Sequence, residues 1–452
     1  MSIAEPLSPG PRIQTPPGPL PMAPPAGSLD PRDPDVLSRI DPRLCVACKG
    51  ARALCGIDPC PLLARIRHHL PRVAPTGKDL WGSSPPSLFV GRHGYPKVTV
   101  GPMLPPDRRD EAGARRLDDP RSWMGLGIAD VVGLRSSLVR TTHAVKITEP
   151  HAAGDIFSGD RILRASQELA LAARPVDTEV RLDRAPRFGA LAVGEFTAPH
   201  GPTAHVESAR LADNVRVERP VERAANDTDL RAGEALASLY AGGTDLYQLE
   251  KILSAGLVGL GQKRRLVPTR WSITATDDQV GQALIPQVQD FPSVDKPTLH
   301  FAERFGNRFF VLLLPGPWAF ESIEAWLKGN FWGRDAAEIV EADREDWRGR
   351  TKYAATAGGY YATRLSVLEH LVAIRRQATA IVHREVTDAY TTPLGVWVVR
   401  ETCKAALESK PLVFEDLAAA VRHLDRQALL KTWQAHAELL RQARTQRTLD
   451  RY

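Results

Sequence analysis

The sequence predicts an α+β (mixed α/β) fold: a small four-cysteine module set on a large mixed-sheet body that ends in a helical C-terminal region. Strand-like and helix-like segments follow one another without a strict βαβ rhythm. Over 452 residues, 43% hydrophobic and 25% charged content is enough to bury a large core and more than one domain. Four of the five cysteines, Cys45, Cys48, Cys55 and Cys60, fall in one short run near the front, and the fifth is Cys403. No internal repeat is evident.

Taken in order, residues 1–40 are dense in proline, from Pro6 to Pro34, which blocks helix and sheet and predicts a disordered tail. Residues 41–75 form the cysteine module. Leu62, Leu63, Ile66 and Leu70 recur at helical spacing after Pro61, predicting a short helix that packs the module on the body, with His68 and His69 on its surface. Residues 76–300 form an N-terminal α/β body. Its run from Leu88 to Pro106, punctuated by Gly91, Gly94 and Gly101, reads as a hairpin, and Arg161 to Ala173, Leu230 to Tyr240 and Leu246 to Leu257 read as helices. Pro268 to Asp278 reads as a strand.

Residues 301–443 form a C-terminal α/β region. Arg308 to Trp318 is apolar on both faces, as a strand buried on both sides would be. Tyr360 to Arg375 reads as a helix, Ala380 to Val386 as a strand and Leu394 to Leu407 as a helix with Cys403 in the core. Leu429, Trp433, Ala437 and Leu440 mark a last helix. Residues 444–452 stand apart as a terminal peptide.

The cysteine spacing C-x2-C-x6-C-x4-C points to metal. Thiolates hold Zn²⁺ in a closed tetrahedral cage, and Gly56, Pro59 and Pro61 supply the sharp turns of a knuckle. An iron–sulfur cluster is the alternative, since Cys60-Pro61 matches the ending of ferredoxin motifs, although the spacing fits neither ferredoxin pattern. Four buried thiols or two disulfides remain open, the disulfides disfavoured by the scarcity of cysteine elsewhere.

A net charge of +6 favours an acidic partner such as DNA, and the excess is mild. Lys263, Arg264, Arg265, Arg270 and Trp271 are the nucleic-acid-binding candidates, because cations beside an aromatic ring hold phosphates and stack a base. Asp277 and Asp278 add adjacent carboxylates suited to Mg²⁺. On a strand, Arg270 and Trp271 would point to opposite faces, which favours a solvated loop instead. Arg92 and Lys97 in the hairpin, and Gly358 and Gly359 beside Tyr360 and Tyr361, fit a ligand or a plain turn equally. Gln262 stands where a phosphate loop needs lysine, and no H-E-x-x-H or nucleophile-elbow pattern occurs, so no catalytic residue is assigned. The N-terminus lacks a secretory pattern and the longest apolar run, Phe309 to Phe320, is too short to span a bilayer; the expectation is a cytoplasmic protein with no membrane partner.

The cysteine knuckle, SPPSLFVGRHGYPKVTVGPM, SWMGLGIADVVGLRSSLVR, LVPTRWSITATDD, GNRFFVLLLPGPW, TAGGYYATRLSVLEHL and PLGVWVVRE, in this order from about Asp41 onward, resemble the Nre family of archaeal-type DNA repair proteins. The resemblance implies a part in the DNA-damage response together with the replication sliding clamp (PCNA). The ending QRTLDRY fits the clamp-binding pattern Q-x-x-aliphatic-x-x-aromatic through Gln446, Leu449 and Tyr452. On one 3₁₀ turn, residues three apart eclipse, so Leu449 and Tyr452 form a plug while the Gln446 amide reaches a polar pocket. Two functions are compatible with all this: a clamp-recruited interaction protein, or an enzyme acting on damaged nucleic acid or a nucleotide. A deep pocket uniting Arg or Lys with carboxylates from distant segments would favour the enzyme.

Overall fold

Side-chain alternation shapes the first of two sheets. The computed structural model describes residues 33, 35–50, 52–58, 60–66, 77–105, 107, 109–152, 155–186 and 193–445. Nearly all of the proline-rich tail, His68, His69, Leu70, and Gln446, Leu449 and Tyr452 lie outside the described residues. Strands β1 (Asp79–Ser84), β2 (Leu88–Val90), β3 (Lys97–Leu104), β4 (Val139–Lys146), β5 (Val176–Leu182) and β6 (Thr203–Leu211) pair in the order β1-β5-β6-β4-β3-β2. Only β4 and β6 run parallel. In β5, Val176, Thr178, Val180 and Leu182 are buried while the residues between them are not, the signature of a sheet with one covered face. The predicted hairpin is β2–β3, closed by a turn in which Gly94 has φ +82° and a Cβ would lie 2.8 Å from the Lys97 carbonyl oxygen.

The second sheet holds β7 (Thr298–Arg304), β8 (Asn307–Leu314), β9 (Ala319–Trp326), β10 (Ile339–Glu345), β11 (Thr379–Val386) and β12 (Leu412–Val413), in the order β10-β9-β11-β8-β7-β12. Only β9 and β11 are parallel. Its central strands are buried on both faces, as the apolar run in β8 requires.

Helices α1 (Pro42–Cys48) and α2 (Pro61–Ala64) belong to the cysteine module, and α3 (Glu111–Arg116), α4 (Ile128–Ser136) and α5 (Arg161–Leu171) lie among the first sheet's strands in sequence. Next come α6 (Arg219–Asn226), α7 (Ala232–Ala241), α8 (Leu246–Ser254) and α9 (Thr269–Gln289). Helices α10 (Gly358–Ile374) and α11 (Trp397–Glu408) pack with α9 on one face of the second sheet, against Phe309, Val311 and Val382. Helices α12 (Leu417–Gln427) and α13 (Glu438–Thr445) cover the other face, against Phe310, Leu312 and Ile381. No helix among the described residues is long and apolar enough to cross a membrane.

Two expectations are corrected. Pro268 to Asp278 is not a strand: after Pro268 it opens α9, where Ser272, Ile273, Thr276, Asp277, Val280 and Gly281 are buried at helical spacing. The β-favouring Trp271, Ile273, Thr274 and Thr276 are overridden by packing against α8 and α10. The last helix is also interrupted. A 3₁₀ turn, Trp433–His436, gives way at Ala437 to α13, whose first N–H groups, from Glu438 and Leu439, donate to the buried Glu321 carboxylate at 2.8 and 2.9 Å.

The cysteine module is joined to the second sheet by buried charge. Lys49 lies 2.9 Å from Glu324 of β9, and the same carboxylate accepts from Arg384 of β11 at 2.8 Å. Arg384 also donates to Asn307 at 2.6 and 3.0 Å and lies 3.5 Å from Glu195. Replacing Arg384 with Met should destabilise the protein by about 3–5 kcal/mol, because it leaves buried carboxylates uncompensated. Urea denaturation of the variant against wild type measures this.

Candidate nucleic-acid interface and inner cavity

The module's local geometry is set by its helix ends. Asp41 caps α1, accepting from the Arg43 N–H at 2.8 Å, and Lys49 closes the helix in the left-handed conformation, φ 48°. Cys45, Cys48, Cys55 and Cys60 line one small cavity together with Leu37, Ile40 and Trp332. The Arg52 N–H donates to Cys48 Sγ at 3.3 Å, and Cys60 stands at the N-terminus of α2. Burial pushes the Cys45 thiol up to about 12 and raises Cys60 as well, so these sulfurs ionise only with compensation nearby. Among the described residues no group of three or more His, Cys, Asp or Glu side chains is gathered closely enough to hold a metal ion. In donor type the residues suit zinc: four cysteines line one space, and Cys48 Sγ accepts an N–H bond of the kind a thiolate uses.

The basic cluster divides. Arg264 is buried and donates to the carbonyls of Gly259, Ala225 and Asp227 at 2.7–2.9 Å, so its guanidinium holds backbone together. Lys263 and Arg265 are exposed on the turn before α9, Arg265 donating to the carbonyls of Gln262 and Arg264. Asp277 and Asp278 do not form a shared cation site. As successive residues on a helix they diverge by about 100°, and each has its own arginine, Arg400 for Asp277 and Arg364 for Asp278.

Arg270 and Trp271 start α9 and lie near residues from four other segments. Trp271, 43% exposed, packs edge-on against Tyr95, 50% exposed, with ring centroids 5.2 Å apart. The Arg270 guanidinium sits 3.8 Å from the Phe196 ring centroid, and Arg92, Arg52 and Tyr353 are close enough to act on its charge. The helix start thus gathers three arginines and three exposed rings, Tyr353 being 63% exposed, beside the cysteine module. Sequence reasoning missed Arg52, Tyr95 and Tyr353. Tyr95 alone had a signal, lying in the glycine-rich turn already marked by Arg92 and Lys97.

Behind this surface lies a small cavity of about 80 Å³. Its ring-bearing walls are Phe89, Trp123, Phe196, Tyr247 and Trp397, and Asp118, Arg135, Glu250, Lys251 and Arg400 bring charge to it. The charges are interlocked. Arg400 Nη2 donates to Glu250 at 2.7 Å and to both Asp277 oxygens at 2.7 and 2.8 Å. Asp118 takes Lys251 at 2.6 Å and Arg135 at 2.8 Å. Burial raises the Glu250 carboxyl to about 7 despite Arg400, whereas for Asp118 the effect of burial is outweighed by Lys251 and Arg135, which hold it below the usual carboxylate range. Among the described residues Arg400 Nε and Nη1 have no hydrogen-bond partner, although the side chain is 1% exposed and lies 4.9 Å from the Tyr247 ring centroid.

Residues 54–333 match the family described as archaeal Nre, N-terminal, and residues 345–452 the family described as archaeal Nre, C-terminal. The chain is 38% identical to DNA repair protein NreA of Archaeoglobus fulgidus, over 86% of its own length and 95% of the relative's. It is 35% identical to DNA repair protein NreB of the same organism, over 90% and 98%. To DNA repair protein NreA of Haloferax volcanii it is 42% identical, over 76% and 82%. No solved structure matches the chain.

Purified protein should carry about one equivalent of Zn²⁺, and Cys48→Ser should lose it and increase hydrogen exchange across residues 41–66. Elemental analysis with exchange mass spectrometry checks both. Iron with sulfide in place of zinc would instead support the cluster.

Proposed function

The chain belongs to the Nre family, and from that premise we propose that it is a DNA repair protein of the DNA-damage response, recruited to the replication sliding clamp by its C-terminal residues. The relatives' names support the repair role. The observation that carries a direct role at DNA is the arginine and aromatic surface at the start of α9, where Arg52 and Arg92 lie near Arg270, and Tyr95, Trp271 and Tyr353 are exposed. Arginines meet phosphates and open rings stack on bases, a combination that binds strands with little regard to sequence. The four cysteines, holding Zn²⁺, would fix Arg52 and the start of this surface. Gln446, Leu449 and Tyr452 would supply the clamp ligand. A cytoplasmic location is consistent with this role.

A second function, catalysis on damaged nucleic acid or a nucleotide, is favoured by one feature. The inner cavity unites Arg135, Lys251 and Arg400 with Asp118 and Glu250 from distant segments, and it is walled by aromatic rings.

DNA binding should weaken steeply as salt rises, and Trp271→Ala should weaken it about three- to tenfold while the salt slope stays unchanged, because the ring stacks and carries no charge. Fluorescence anisotropy over a salt series tests this; no binding even at low salt would leave the clamp as the sole recruiting surface. A peptide of the last dozen residues should bind the host clamp by itself, and Tyr452→Ala should cost about 2 kcal/mol. Calorimetry decides: equal binding by intact protein lacking its last seven residues would place the recruiting surface elsewhere.

A further inference from the structure

We propose that α9 and the loop after β10 form a path for one single strand of DNA, running from Trp271 to Trp347 and covering about eight nucleotides. This deepens the DNA interface proposed above and rests on it.

Helical geometry puts both ends of the path on one side of α9. At about 100° per residue, the step from Trp271 to Gln289 is about five full turns, so the two face the same way, about 27 Å apart. Between them Ala275, Asp278, Gln282 and Pro286 recur on that face, and none of them is buried. The Gln289 amide donates to the Trp347 carbonyl at 2.8 Å, which brings the loop to the far end of the helix. Tyr353, further along the loop, is close enough to Arg270 to act on its charge. The loop therefore returns along α9 in the opposite direction, from the last residue of the helix to its second.

The loop is held in place by bonds of its own. Asp346 and Gly349 close a tight turn, with Gly349 at φ +75° and the Arg348 N–H on the Asp346 carboxylate at 2.9 Å. Arg350 donates to Asp343 at 2.8 Å and lies 4.5 Å from the Tyr360 ring centroid. The Ala354 N–H donates to the Tyr361 hydroxyl at 3.1 Å, and the Tyr353 ring leans on Tyr361 with centroids 5.4 Å apart. What this frame leaves outside is Trp347, 46% exposed, together with exposed Arg348, Lys352 and Tyr353.

Charge and open rings select a single strand. Arg348 and Lys352 bring cations to the loop, while the neighbouring carboxylates are engaged: Asp346 in the turn, Asp343 by Arg350, and Asp278 by Arg364 at 2.5 Å. Cations meet phosphates. Trp271, Tyr353 and Trp347 stack only on bases whose faces are uncovered, and a duplex hides those faces in its own stack. At about 3.4 Å per nucleotide step, about 27 Å holds about eight nucleotides. Asp290, exposed just past the helix, repels phosphate and marks the far limit.

The test is fluorescence anisotropy on full-length protein with oligothymidylates of about four, eight and twelve nucleotides, and with the longest of them paired to its complement. Affinity should rise with length up to about eight nucleotides and then level off, and the duplex should bind at least about tenfold more weakly than its strand. Trp347→Ala should weaken the longest strand about three- to tenfold and the shortest less than about twofold, because a short strand occupies the arginine-rich end. Trp271→Ala should weaken both. Arg348→Gln should lower the salt slope for the longest strand by about one, an independent readout should Trp347→Ala disturb the loop. If Trp347→Ala and Arg348→Gln leave the longest strand unchanged while Trp271→Ala weakens it, the path does not extend along α9 and the inference is overturned, with the DNA interface intact. Duplex bound as tightly as single strand overturns it as well. No binding of either form removes the interface itself and the path with it.

Discussion

A buried charge cannot stand alone in a protein interior, and here that constraint ties five separate segments to one point. Glu324, on a central strand of the second sheet, is shared by Lys49 and Arg384. Both cations also lie about 5 Å from the Trp326 ring centroid. Glu195 is held by Arg384 and by the Trp332 indole N–H at 3.1 Å, and Glu341 lies 3.9 Å from Lys49. With three carboxylates around two cations, one acid is best kept protonated. Burial raises Glu195 and Glu341, while Lys49 and Arg384 outweigh burial at Glu324 and keep it low. Even the start of α10 is adapted to the cluster: a Cβ on Gly359 would lie 2.4 Å from a Glu324 oxygen.

The functional surfaces inherit their positions from this point. Lys49 follows Cys48 directly, so the ion pair that seats Lys49 also seats the knuckle and the adjoining Arg52. Glu195 precedes Phe196, the ring under Arg270 and in the cavity wall. Gly395, with φ +104°, lets the segment before α11 approach the 197–198 backbone, where a Cβ would come within 2.7 Å of Thr197. The cysteine module, the α9 surface and the cavity are in this way parts of one construction.

Local pattern made much of the fold legible. The β2–β3 hairpin followed from its glycines, β8 from an apolar run covered on both sides, and α5, α7, α8 and α10 from their stripes. Helix α9 was hidden because its buried stripe contains Ser272, Thr276 and Asp277, polar residues that are acceptable there only because of partners elsewhere, Arg400 above all. The break at Ala437 was hidden for a like reason, since the carboxylate that caps α13 is Glu321, more than a hundred residues earlier. At the site, Arg270 and Trp271 were visible as a basic and aromatic pair. Their companions Arg52, Tyr95 and Tyr353, and every charged group of the cavity, are brought together by tertiary contacts alone.

If one buried cluster positions the module, the 195–198 segment and the start of α10, removing Lys49 must be felt in all of them. Hydrogen-exchange mass spectrometry on Lys49→Met against wild type measures this most directly. Loss of protection is predicted together in residues 41–50, 193–200 and 358–365. Loss confined to residues 41–50, with the other two segments unchanged, would contradict the account.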